Sequence, residues 1–117
     1  MTLTDKTGAP VTVTKEPDAF TIGVDGKTVG RTEFAEHDGQ RVFYHTEVDE
    51  AFGGRGLATL LIGEALDTTR ADGERIVPVC PMVAAVVRKR EDLNDVVSPP
   101  TREILQWLRD TTNSPHV

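Results

Sequence analysis

Residues Arg41–Ala71 read RVFYHTEVDEAFGGRGLATLLIGEALDTTRA, and this stretch decides the fold. Arg41–Val48 alternates Val42, Tyr44, Thr46 and Val48 with Phe43, His45 and Glu47, the period-two pattern of a strand with two unlike faces. Phe52-Gly53-Gly54-Arg55-Gly56 interrupts it. From Leu57 the period changes, and Leu57, Leu60, Leu61 and Ala65 share one face of a predicted helix over Leu57–Ala71. Asp72-Gly73 stops that helix. A strand, a glycine loop and a helix in this order leave bare backbone N–H groups in a concave turn. The helix start adds unpaired N–H groups and a positive dipole end, so the unit suits a pyrophosphate. Arg55 can add a charge-assisted contact. The spacing fits neither a P-loop nor the dinucleotide fingerprint. A plain strand-to-helix turn is the competing reading.

Working outward, Asp25-Gly26 marks a hairpin between Ala19–Val24 and Lys27–Glu36, and His37-Asp38-Gly39 makes the next turn. The first half therefore reads as a three-stranded antiparallel meander, with a short extra strand at Val11–Thr14 and a frayed start at residues 1–10. Beyond the long helix, Arg75–Cys80 reads as a strand interrupted by Pro78. Met82–Arg90 is helical, with Val83, Val86 and Val87 on one side. Thr101 caps a last helix with a stripe of Ile104, Trp107 and Leu108. The order βββαβαα predicts an α+β sandwich, a sheet with helices on its faces. Pro78 cannot donate to a sheet ladder, so it belongs at an edge or an opening.

The chain has 117 residues, which reads as one domain over 1–117. A domain of this size buries roughly 65% of its unfolded surface, enough for a core without a metal or disulfide staple. No apolar run reaches the roughly 20 residues of a membrane span. The start carries no apolar signal-peptide core. The lone Cys80 forms no internal disulfide and no cysteine-based metal site, so a reducing cytoplasm is expected. The net charge of −6 is uneven: residues 1–50 hold 5 basic and 10 acidic side chains, residues 51–117 hold 8 and 9. That balance disfavours nucleic acid and suits a cationic partner such as an amine, or simply keeps a small domain soluble. A monomer is expected.

Residues 43–97 resemble the small, minimal members of the GNAT superfamily of N-acetyltransferases. The resemblance rests on Phe43-Tyr44-His45-Thr46-Glu47-Val48, on Gly54-Arg55-Gly56-Leu57-Ala58 with the helix to Ala71, and on Gly73. It continues through Val77-Pro78-Val79-Cys80-Pro81, Val83-Ala84-Ala85 and Asp95. The superfamily's loop signature is Arg/Gln-x-x-Gly-x-Gly/Ala. Gly56-x-Ala58 fits it, while Gly53 stands at the Arg/Gln position. The resemblance implies a mixed sheet with a splayed strand pair, Arg41–Val48 beside Arg75–Cys80, and acetyl-CoA between them. It implies an acetyl-CoA site at Val48, Gly53, Gly54, Arg55, Gly56, Leu57 and Ala58. A backbone N–H near Glu47–Asp49 would polarise the thioester carbonyl as an oxyanion hole does. The acetyl group would pass to a primary amine, such as a lysine side chain, a polyamine or another small amine.

Three side chains are catalytic candidates. Cys80 matches a cysteine of the minimal members and would serve as acid, base or acyl carrier. As a lone cysteine it also reads as a small buried side chain. His45 can collect the proton of the attacking amine, and Glu47 on the same face is the alternative base. Each also reads as an ordinary strand residue. Arg88-Lys89-Arg90 could meet the 3′-phosphate of CoA or form a solvated helix face. The aromatic positions of the minimal members fall on Met82, Val86 and Leu93, and no tyrosine follows Tyr44. An acetyl-CoA-binding module without catalysis and a Cys80 acyl-carrier protein are therefore the rival readings.

Overall fold

A computed structural model describes residues 3–4, 7–53 and 56–112. Five strands run antiparallel in chain order: β1 (Leu3–Thr4), β2 (Pro10–Lys15), β3 (Ala19–Val24), β4 (Lys27–His37) and β5 (Gln40–Val48). The chain then crosses one face of the sheet as α1 (Leu57–Ala71) and adds β6 (Arg75–Pro78) parallel to β5. It continues through α2 (Pro81–Lys89) to α3 (Arg102–Thr112). The α+β class is as expected, but the meander is longer than three strands. Pro10–Lys15 pairs along β3 from Val11 opposite Val24 to Lys15 opposite Phe20. Val11 and Val13 pack against the core, and this burial outweighs the weak sequence pattern there.

The Asp25-Gly26 turn is a two-residue hairpin loop with φ of 50° and 83°, the double left-handed geometry that matches strand twist. Gly30 on β4 is required by a close approach. A Cβ there would lie 3.0 Å from the Glu47 carbonyl oxygen and 3.0 Å from Cγ2 of both Ile22 and Val48. Under α1, the core gathers Phe20, Phe34 and Phe43, with ring centroids 5.4 to 6.3 Å apart, against Leu57, Leu61, Ile62, Ala65 and Leu66. On the opposite face, α3 lays Ile104 and Leu108 over Val42 and Val77. The Thr101 hydroxyl accepts from the Ile104 N–H at 3.1 Å and caps that helix. Trp107 is a packing residue, stacked on His37 at 4.3 Å.

Two strand expectations are corrected. Cys80 does not close a strand. β6 ends at Pro78, which has no N–H to donate, and Cys80 is the N-cap of α2 with Pro81 following it. The alternation along β5 also breaks. Phe43 faces Phe34 and His45 faces Glu33, so Tyr44 is one extra residue, a β-bulge. Val42 and Tyr44 accordingly pack on the α3 side, while Phe43 and Val48 pack on the α1 side. Thr46 shares the face of Val48, and His45 and Glu47 share the other.

Arg41 is 2% exposed and ties the first end of β5 to the far end of α1. Its guanidinium meets Glu36 at 2.9 Å, Glu74 at 3.0 Å and Asp72 at 3.2 Å. It also donates to the Thr69 hydroxyl at 3.1 Å and lies 4.9 Å from the Phe34 ring. The outer edge of β6 is covered too, since Ile76 donates to Val96 O and Ser98 donates to Ile76 O, both at 2.8 Å.

Candidate active site

β5 and β6 pair only as far as Phe43 and Pro78. At that point one oxygen holds both chains together. The Phe43 carbonyl accepts from Val79 N–H at 3.0 Å and from Cys80 N–H at 2.9 Å. Beyond it β5 runs on through Tyr44–Val48, while the other chain turns away into α2. The result is a gap with its apex at Phe43 and Cys80. Asp49 N–H donates to Val29 O at 2.7 Å, on the β4 side. Antiparallel strands alternate their bonding edge residue by residue. His45, Glu47 and Asp49 thus turn their N–H groups to β4, and Thr46 and Val48 turn theirs to the gap.

On the α1 side of the gap lies a hollow of about 240 Å³, lined by Val48, Phe52, Gly53, Gly56, Leu57, Ala58 and Thr59. Gly56 takes the left-handed conformation, φ 75°, and begins α1 without a side-chain cap. The N–H groups of Leu57, Ala58 and Thr59 have no acceptor within the helix, and the first turn holds no acidic residue. The positive end of the helix dipole therefore opens on this hollow. Gly53 offers less than its glycine suggests, because its N–H already donates to Glu50 O at 3.1 Å. Gly54 and Arg55 lie outside the described residues. A second hollow of about 240 Å³ shares Ala58 and Thr59 and continues between α1 and α2 past Met82 and Val86 to Lys89 and Arg90. Arg90 is committed to Asp92 at 2.8 Å and Asp67 at 2.7 Å. Those bonds, to Asp92 first, hold its guanidinium charged. Arg88 does not line the hollow, so Lys89 is the cation of this run that faces it without such ties.

A larger hollow of about 470 Å³ reaches Val48 as well, and is lined among others by Thr21, Arg31, Glu47, Asp49 and Glu50. His45 lies beside Glu47 on this face, with Nε2 3.5 Å from the Glu47 carboxylate and 4.0 Å from Glu33. Glu33 is shared with Arg31 at 3.4 Å. Tyr44 follows, and burial, then the Glu33 charge, pushes its phenol above the ordinary value, so it stays a neutral hydroxyl. Cys80 is not part of this group. It is buried at the apex on the α1 side, and its thiol donates to the Thr46 hydroxyl at 3.5 Å. The Thr46 hydroxyl lies 2.8 Å from that of Thr32. The fold thus joins His45 with Glu47 and sets Cys80 on the other side of β5.

A model of the GCN5-related N-acetyltransferase family matches residues 19–96, which span the gap, both of its strands and the hollow at α1. The chain belongs to the GCN5-related N-acetyltransferase family. No curated protein matches it. The solution structure of a GCN5-like protein from Staphylococcus aureus is 18% identical over 78% of this chain and 91% of its own, with a TM-score of 0.59. At that identity the likeness concerns the fold, a mixed sheet flanked by helices.

Within this N-acetyltransferase, the positions where the minimal members place aromatics have three different fates. Met82 is 42% exposed on the α1–α2 hollow, Val86 lines it, and Leu93 is buried in the core. Sequence reasoning missed Glu33, Thr32 and Thr46. Regular counting from the β4–β5 hairpin sets Glu33 opposite Tyr44 and Thr32 opposite His45; only the bulge moves Glu33 opposite His45 and Thr32 opposite Thr46. Among the described residues no group of three or more His, Cys, Asp or Glu is arranged to hold a metal. None of their helices is long and apolar enough to cross a membrane.

Proposed function

We propose that this N-acetyltransferase moves the acetyl group of acetyl-CoA directly to a primary amine. The observation that carries the reading is the gap between β5 and β6. One strand edge in it presents N–H groups, and an uncapped helix N-terminus opens on the same side. The Val48 N–H is placed to receive the thioester oxygen as it gains charge. The N–H groups of Leu57, Ala58 and Thr59 suit the pyrophosphate, and Gly54 and Arg55, which precede them in the sequence, are candidates for further contacts to it. Lys89 suits a terminal phosphate at the end of the α1–α2 hollow.

The acceptor belongs in the 470 Å³ hollow, which meets the coenzyme side at Val48. Glu47, Asp49 and Glu50 outnumber Arg31 among its charges, so a cationic amine, a lysine side chain or a polyamine is favoured there. A cationic acceptor first loses its extra proton to solvent and reacts as the neutral amine. Its nitrogen attacks the thioester carbon, the C–N bond forms and the C–S bond breaks, and His45 takes the proton the nitrogen sheds, with Glu47 as the alternative base. Cys80, at the apex, supplies a proton to the departing CoA sulfur. This setting is cytoplasmic, where a single thiol stays reduced.

Calorimetric titration with acetyl-CoA and with CoA, followed by an amine panel read by thiol release, tests the reading. Binding with turnover supports it, and no binding at millimolar acetyl-CoA overturns it. The non-aromatic Met82, Val86 and Leu93 favour a second reading, a coenzyme-binding module without turnover. Binding with no release on any amine would establish that one instead.

A further inference from the structure

Among the described residues four polar side chains are fully or nearly fully buried: Thr32, Arg41, Thr46 and Thr69. Arg41 and Thr69 bond to each other in the ion cluster at the first end of β5. Thr32 and Thr46 are the remaining two, 0% and 8% exposed, and they sit at the other end. Valines of the same shape would fill that apolar wall without any polar atom to satisfy. The two hydroxyls instead bond at 2.8 Å, and the outer one receives the Cys80 thiol, itself 4% exposed, at 3.5 Å.

We infer that Thr46, braced by Thr32, is a positioning residue that holds Cys80 as the proton donor to the departing coenzyme. This rests on the acetyl-transfer reading above. A thiol that gives up its proton changes from donor to acceptor, so its neighbour must serve both states. A hydroxyl does so: it accepts from the S–H and, by rotating, donates to the thiolate. Thr32 can be donor or acceptor toward Thr46 in either orientation. In the transfer the amine nitrogen bonds to the acetyl carbon and the C–S bond breaks. The CoA sulfur leaves with the bond's electron pair and takes the Cys80 proton. The proton shed by nitrogen, collected by His45, returns through water to the Cys80 thiolate. Counted from the neutral amine, no net proton is gained or lost; a cationic acceptor gives one further proton to solvent before it attacks.

The test compares Thr46→Val, Thr46→Ser and Thr32→Val with the intact protein, each checked by thermal melting. Thr46→Val should lower kcat about tenfold or more, the size of one hydrogen bond to an ionised partner, with KM for acetyl-CoA within twofold. Thr46→Ser should recover most of that loss. Thr32→Val, which removes only the brace, should lose less in the same direction and serves if Thr46→Val melts early. The rate of Cys80 alkylation by iodoacetamide should fall with the same ranking, because the thiolate loses its donor. If the intact protein binds no acetyl-CoA, the acetyl-transfer reading fails. If it binds and turns over, yet Thr46→Val keeps both kcat and alkylation rate, this inference alone fails. Loss of kcat that serine does not restore overturns it too.

Discussion

The two ends of β5 solve opposite problems. At the first end Arg41 is saturated: three carboxylates, one hydroxyl and two aromatic rings surround a single guanidinium. Two neighbouring strands and α1 lock there. At the other end Thr46 and Val48 turn their bonding edge to a gap, and the helix beyond leaves its first N–H groups bare. One strand thus carries both a buried guanidinium with many partners and an edge that faces a gap. The comparison teaches that the opening is affordable because its strand is anchored elsewhere.

Breaking the closed end should have the largest effect. Arg41→Ala removes a buried charge with its ring contacts and should cost about 4 kcal/mol in denaturant unfolding. An effect under about 1 kcal/mol would show that the anchor lies elsewhere. At the open end, Val48→Pro deletes an N–H without breaking a ladder bond to β4. It should lower kcat by about 10²- to 10³-fold while the melting temperature changes little. His45→Ala should cost about 10²-fold in kcat, and Glu47→Ala much less if His45 is the base. Equal losses would reassign that role. Between the two ends, Gly30→Ala pushes a methyl against the Glu47 carbonyl and should cost about 2 kcal/mol.

The smallest effect concerns acid. Lys15 first, then Arg41, hold the Asp72 carboxyl below the usual range. A depressed folded value stabilises above the unfolded one, near 4, and the gain is lost as pH falls through the folded value. Asp72→Asn should therefore flatten the stability curve below about pH 4 and leave catalysis at neutral pH unaltered. A steep acid limb in that variant would point to Glu36 or Glu74.

Much of this contrast was legible in the sequence, and its limits are physical. Asp25-Gly26, the Thr101 cap and the Leu57–Ala65 stripe are local signals, and each lies where its chemistry dictates. The glycines at 53 to 56 located the loop, though not that Gly53 spends its N–H on Glu50. The bulge was illegible, because Val42, Tyr44, Thr46 and Val48 keep an unbroken period of two through it. Only pairing with β4, where Phe34 and Glu33 face Phe43 and His45, reveals the extra residue. Everything that depends on that half-turn was hidden with it, including the inward Thr46 and the separation of Cys80 from His45.

The bulge at Tyr44 makes β5 a strand that can lose a residue and keep its phase. Deleting Tyr44 would let Phe43 and His45 follow one another in regular alternation, with Thr46, Glu47 and Val48 still on their present faces. What the deletion would remove is the local bend and added twist that bulges impose. The shortened chain should fold with its side chains correctly sorted and its two parallel strands drawn together, a protein intact in every layer but shut.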